Sequence, residues 1–179
     1  MEKIKIYLYT YAKERYLWEH SRKSDLNSNV TIPLGILIAQ ITGSQYFFFN
    51  FPKKTCSGIF IIFIILLVLS IISLISSFIL FCRHQIGYEY VYIFSPKEMI
   101  NYFQNNIAEY TNYNDDVDYE YIYDELKETE LSEYIEATEK NIENNKNKTK
   151  FYRHFLLSLI ISTFLLVLTL FINLLLDKI

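Results

Sequence analysis

Glycine, proline and cysteine are scarce in this 179-residue chain, at 4, 3 and 2 copies, and tryptophan occurs once. Three of the glycines, Gly35, Gly43 and Gly58, fall in or beside apolar runs, so no glycine-rich loop is there to cradle a phosphate. Cys56 and Cys82 stand at opposite ends of one apolar run. As a helix that run separates them by about 39 Å, whereas a disulfide needs its Cα atoms within about 7 Å, so they do not pair within one chain. Neither CxxC nor His-rich spacing occurs, and no metal or cofactor is expected. GxSxG, HExxH and Walker patterns are missing too, so the expectation is a protein that is not an enzyme. The carboxylates from Asp115 to Glu143 read most simply as a solvated helix face, a metal or general-base role for one of them being the lesser reading.

Charge is absent from long intervals. All 17 Lys and Arg and all 20 Asp and Glu fall outside Leu26 to Pro52, Thr55 to Cys82 and His154 to Leu176, intervals of 27, 28 and 23 residues. A helix needs roughly 20 apolar residues to cross about 30 Å of hydrocarbon, and three such runs exclude an ordinary soluble domain. The net charge of -3 and the lack of a basic block argue against nucleic-acid binding.

The runs at about 58–82 and 154–176 are apolar on every face and read as membrane spans. The run at about 30–51 is diluted by Thr31, Gln40, Thr42, Ser44 and Gln45, yet its length and lack of charge make it a span as well. Pro33 falls in its first turn and the aromatic cluster Tyr46 to Phe49 near its far end. Fourteen Lys and Arg flank the spans in the N-terminal segment and in the insert between spans two and three, against Lys53, Lys54 and Lys178 on the other side. By the positive-inside rule the N-terminus and the insert are cytoplasmic. No signal peptide is expected ahead of the first span.

The fold class expected is therefore a mainly α integral membrane protein with three transmembrane helices and a small cytoplasmic α+β insert. Its parts are a cytoplasmic amphipathic helix at 1–29, a transmembrane hairpin at 30–82, the insert at 83–153 and a third span at 154–176. In the first helix Ile4, Leu8, Tyr11 and Trp18 recur at helical spacing, with Arg15 on the same face. In the insert, Tyr88 to Phe94 has the composition of a strand. Ser95, Pro96 and Glu98 then supply an N-cap, a first-turn proline and a capping-box acid. Ile100, Phe103 and Ile107 give the helix that follows an apolar face, Thr111 to Asp118 reads as a polar loop, and the acidic stretch from Asp118 runs on as a helix into the third span. The Asn- and Lys-rich stretch Asn141 to Lys150 is the nearest thing to low complexity.

Two groups of residues are candidate sites. Ser158, Ser162, Thr169 and Asn173 share one face of the third span, Ser70, Ser73 and Ser77 form a stripe in the second, and Gln40 lies inside the first. They line a pore upon assembly, or they pack helix on helix, the second being favoured about two to one. Arg83 with His84 and Arg153 with His154 sit at membrane boundaries, where they anchor the helix ends or bind an anionic ligand or lipid phosphate. Tyr88, Tyr90 and Tyr92 are able to stack on a nucleobase, although strand residues over a small core are the better reading. His20, without a ligand-spaced partner, is expected on the helix surface.

The layout resembles the membrane effectors of nucleotide-signalled phage defence, of the Pycsar transmembrane type and more loosely the SLATT type. The similar features are a charged N-terminal helix carrying Glu14, Arg15, Trp18, Glu19, Arg22 and Lys23, two close spans, a 71-residue insert from Arg83 to Arg153 and a last span entered through a basic helix. The resemblance implies a multi-pass protein of the cell inner membrane with the lipid bilayer and a nucleotide signal as partners. It would form a homo-oligomer that makes the membrane leaky when activated. The alternative is a non-enzymatic membrane scaffold or subunit whose insert docks a protein partner.

Overall fold

The computed structural model describes residues 2–51, 58–113 and 119–176, and among them the backbone forms five helices and no strand. They are α1 (Glu2–Ser28), α2 (Thr31–Phe49), α3 (Gly58–Gln85), α4 (Pro96–Tyr113) and α5 (Tyr119–Leu176). Three stretches are long and apolar enough to cross a membrane: Lys3–Phe49, Gly58–Gln85 and Tyr119–Leu176. In the first of these the charges lie before Leu26, so the apolar part is α2, whose 19 residues measure about 28 Å. The 58 residues of α5 carry the acidic stretch and the last span in one uninterrupted helix. Cys82 carries a free thiol; Cys56 lies outside the described residues.

The chain divides into two compact units, one of Met1–Lys23 with Glu89–Asn145 and one of Ser24–Tyr88 with Lys146–Ile179. In the second unit, Val30, Leu37, Leu74, Phe155 and Leu159 form one buried cluster, and Phe47, Phe63, Leu67 and Leu176 another. The rings of Phe51 and Phe60 stand 5.8 and 6.4 Å from that of Phe63 and seal the second cluster. The opposite faces of these helices, with Ile61, Ile65, Phe164 and Val167, are exposed. An apolar surface of that extent has to be covered by something other than water, and lipid does so without cost.

The first unit is built on Ala12, Tyr16, Tyr134 and Ala137, with Tyr9, Val91, Ile93 and Leu131 around them. The rings of Tyr9 and Tyr16 meet Tyr134 edge-on at 5.8 and 5.5 Å. Small Ala12 and Ala137 let α1 and α5 approach closely enough for those rings to interlock. The start of α4 follows the sequence: Glu98 Oε2 accepts from the Ser95 N-H at 2.7 Å, and the Glu98 N-H donates to Ser95 Oγ at 3.3 Å, a reciprocal capping box. The Ser95 backbone N-H first, and then the Ser95 side chain, lower the Glu98 pKa by favouring the anion.

Several expectations are corrected. The insert is not α+β: residues 88–95 form neither helix nor strand. Asn141 takes the role of a neighbouring strand, its Oδ1 accepting from the Val91 N-H at 3.1 Å and its Nδ2 donating to the Val91 carbonyl at 2.9 Å. Asn144 Nδ2 donates to the Glu89 carbonyl at 2.7 Å, and Tyr16 Oη stands 3.4 Å from the Ile93 N-H. Side chains of two helices thus meet backbone groups that a sheet would have paired. The packed face of α1 is also not the one the apolar spacing picks out. Ile4, Leu8, Tyr11 and Trp18 are exposed, while Ala12, Tyr16 and Glu19 are buried. The reason is that α1 has apolar residues on all sides, and the face with a small residue and a charge able to pair inward is the one that fits α5. Of the polar loop expected at Thr111 to Asp118, Thr111 to Tyr113 belong to α4 instead; residues 114–118 lie outside the described residues.

Candidate functional site

In the first unit the segment 89–95 brings aromatic and charged side chains together. Glu19 is fully buried in α1. Its carboxylate stands 3.4 Å from Arg15 Nη2 and 3.6 Å from Arg22 Nη1, and Asn145 Nδ2 donates to Oε2 at 2.8 Å and to the Glu19 carbonyl at 2.8 Å. An unpaired carboxylate there would cost several kcal/mol; two guanidinium groups and an amide offset part of that penalty, Oε1 being buried without a hydrogen bond. Both arginines lie over the Trp18 ring, at 4.3 and 5.4 Å from its centroid. Asn145 Oδ1 in turn accepts from Tyr90 Oη at 2.6 Å. Lys23 sits 4.0 Å above the Tyr90 ring and donates to Tyr92 Oη at 2.9 Å.

His20 closes this cluster. Its ring lies 4.5 Å from that of Tyr16 and 5.1 Å from that of Tyr92, half-buried, and its Nε2 is buried without a hydrogen-bond partner. It is therefore not a surface histidine. Burial lowers its pKa, and the nearby Lys23 ammonium lowers it further. Tyr9 and Tyr134 are pushed the other way, first by burial and then by Glu130, whose carboxylate accepts from Tyr9 Oη at 2.6 Å.

The second unit holds Arg83, His84, Tyr88, Arg153 and His154. His84 is fully buried, its Nδ1 3.0 Å from the Lys148 carbonyl and its Nε2 3.2 Å from the Leu26 carbonyl. It ties the end of α3 to α5 and to the end of α1, the position of a structural clamp. Arg83, Arg153 and His154 are exposed. Arg83 reaches Phe151, with its guanidinium carbon 5.9 Å from the ring centroid. Tyr88 Oη donates to the Arg83 carbonyl at 3.0 Å, the Lys148 ammonium lies 5.6 Å from its ring centroid, and burial raises its pKa.

The polar residues of the spans face one another. Ser162 Oγ donates to Gln40 Oε1 at 2.7 Å, and Gln40 Nε2 donates to Thr163 Oγ1. Ser158 Oγ donates to the Ser73 carbonyl at 3.2 Å and lies 2.9 Å from Ser77 Oγ, and the hydroxyls of Ser70 and Thr169 are 3.4 Å apart. Asn173 is fully buried with neither amide atom hydrogen-bonded. Within one copy, then, these stripes lie helix against helix. Among the described residues no group of three or more His, Cys, Asp and Glu is placed to hold a metal ion.

Sequence reasoning missed the buried polar residues of α5. Asn141, Asn144, Asn145 and Lys148 recur three and four apart, a helix-face spacing that composition alone disguised as low complexity. Glu19 entered only as part of the charged first helix.

The fold so far defines a helical protein with three membrane-length apolar helices and a second, separately packed helical unit. No protein-family model, no curated protein and no solved structure matches the chain.

Proposed function

We propose that the chain is a non-enzymatic effector of the cell inner membrane in a nucleotide-signalled anti-phage system, with N-terminus cytoplasmic, acting by self-assembly and membrane permeabilisation. The observation that carries the reading is the exposed stripe on α1. Ile4, Leu8, Tyr11, Arg15, Trp18 and Arg22 follow one another at alternating steps of four and three, the spacing of a helix-to-helix seam. Its large apolar members are open to solvent in a single copy. Joined in one chain to three membrane-length helices, such a seam gives a means of bringing spans of several copies together. The nature of the trigger rests on the resemblance in layout.

A second reading, a scaffold docking a protein partner, is favoured by the engagement of the candidate ligand side chains. Tyr90 Oη is committed to Asn145 and Tyr92 Oη to Lys23, while the apolar members of the α1 stripe are exposed.

The test is membrane potential, read with a voltage-sensitive dye in cells expressing the chain and supplied with a panel of cyclic mononucleotides. Nucleotide-dependent depolarisation is expected. An unchanged potential with every nucleotide, with the chain confirmed in the membrane and a stoichiometric protein co-purifying, would establish the scaffold instead.

A further inference from the structure

A groove of about 610 Å³ runs between α3 and α5 on the second unit. One wall is Leu69, Ile72, Ser73, Ser76 and Leu80; the other is His154, Leu157, Ser158, Ile161 and Leu165. Both walls follow the same spacing of three and four over twelve residues, so the groove extends along the helix axes for about 16 Å. The serines make its floor shallow side chains in a neighbourhood of Leu and Ile, which is why a channel opens where the spans would otherwise close. With α3 and α5 crossing a bilayer, it would be an open apolar groove at the depth of the hydrocarbon.

One end of the slot is cationic. His154 lines it there. Arg83 stands one turn beyond Leu80 on the same face of α3, and its contact with Phe151 brings it to within a turn of His154 on α5. Lys150, exposed, lies one turn before His154 on the α5 wall. An apolar length ending in two fixed positive charges and an imidazole complements an amphiphile with a negative head.

We infer that this groove is a binding site for one anionic phospholipid, an acyl chain lying between α3 and α5 and the phosphate held by Arg83, Lys150 and His154. Basic pockets between membrane helices near an interface suit anionic headgroups, because phosphate oxygens accept charge-assisted hydrogen bonds where water is partly excluded. A second copy is the poorer occupant. In the same membrane orientation it would bring its own Arg83, Lys150 and Arg153 to the same depth, setting like charges side by side. The inference goes beyond the effector reading and needs only that α3 and α5 cross a bilayer.

The experiment begins with carbonate extraction of cell membranes, since a chain released by carbonate would overturn the spans themselves. The full chain, purified in detergent, is then offered equal amounts of phosphatidylglycerol and phosphatidylcholine and examined by native mass spectrometry. One phosphatidylglycerol retained per chain, in preference to phosphatidylcholine, is expected. Arg83→Gln and Lys150→Gln should each weaken that retention roughly fivefold, in line with the worth of one basic residue at an anionic interface. Ser76→Phe, which fills the slot and leaves the cations in place, should abolish it. Equal retention of the two lipids, or retention indifferent to the charge variants, overturns the proposal. So does oxidative cross-linking of Ser76→Cys between copies in phosphatidylglycerol, which would identify a second copy as the occupant.

Discussion

His20 couples the first unit to pH. Tyr16, Tyr92 and Lys23 surround its ring, and none of them offers a negative charge to an imidazolium. In the unfolded chain the ring titrates near its ordinary value of 6.5, and in the fold it titrates lower. Between those two values the unfolded state binds the extra proton, so stability rises with pH across that window. The contribution is whole above about 6.5 and lost as pH falls through the folded-state value. The thermal midpoint of the detergent-solubilised chain is therefore expected to fall between pH 7 and pH 5, and His20→Phe to flatten that fall. An equal fall in the variant would show that another group carries the dependence. Apolar spacing alone did not reveal this residue, because its surroundings come from a segment more than sixty residues later in the chain.

At the scale of elements, the segment Tyr88 to Phe94 shows what a strand composition does without a sheet. Its backbone forms neither helix nor strand, and the amides of Asn141 and Asn144 supply hydrogen bonds to it. Asn141→Leu removes both partners of Val91 at once. It is expected to destabilise the chain by about 1–3 kcal/mol and to speed amide hydrogen exchange selectively at residues 89–93. Exchange there at the wild-type rate would show that the segment is held by packing alone. The helices themselves were legible: the uncharged runs marked the membrane-length apolar helices, and Ser95, Pro96 and Glu98 the start of α4. That Tyr88 to Phe94 is a non-helical segment was legible, but the strand expected there is not formed. The segment's partners were not legible, since propensity describes the local chain and the pairing amides lie fifty residues away.

At the scale of the whole molecule, the stripe on α1 predicts association. Ile4→Glu with Leu8→Glu alters only exposed positions and should change folding stability by less than about 0.5 kcal/mol for each. It should also shift the chain toward single copies in chemical cross-linking of native membranes. Cross-linking identical to wild type would remove the seam from the mechanism. Length and charge segregation made the membrane-length helices readable from sequence. The division into two units was not readable at its observed boundaries, because α1 and α5 each contribute to both and no break in composition marks the crossing. The facing polar stripes bear finally on biosynthesis. Alone in a bilayer, the last span would present Ser158, Ser162, Thr163, Thr169 and Asn173 to hydrocarbon, whereas Gln40, Ser70, Ser73 and Ser77 offer most of them partners. Synthesis runs from the N-terminus, so α2 and α3 leave the ribosome first and wait as a template. In a bilayer the apolar end of α5 would be the dependent one, inserted against a surface its own chain has already laid down.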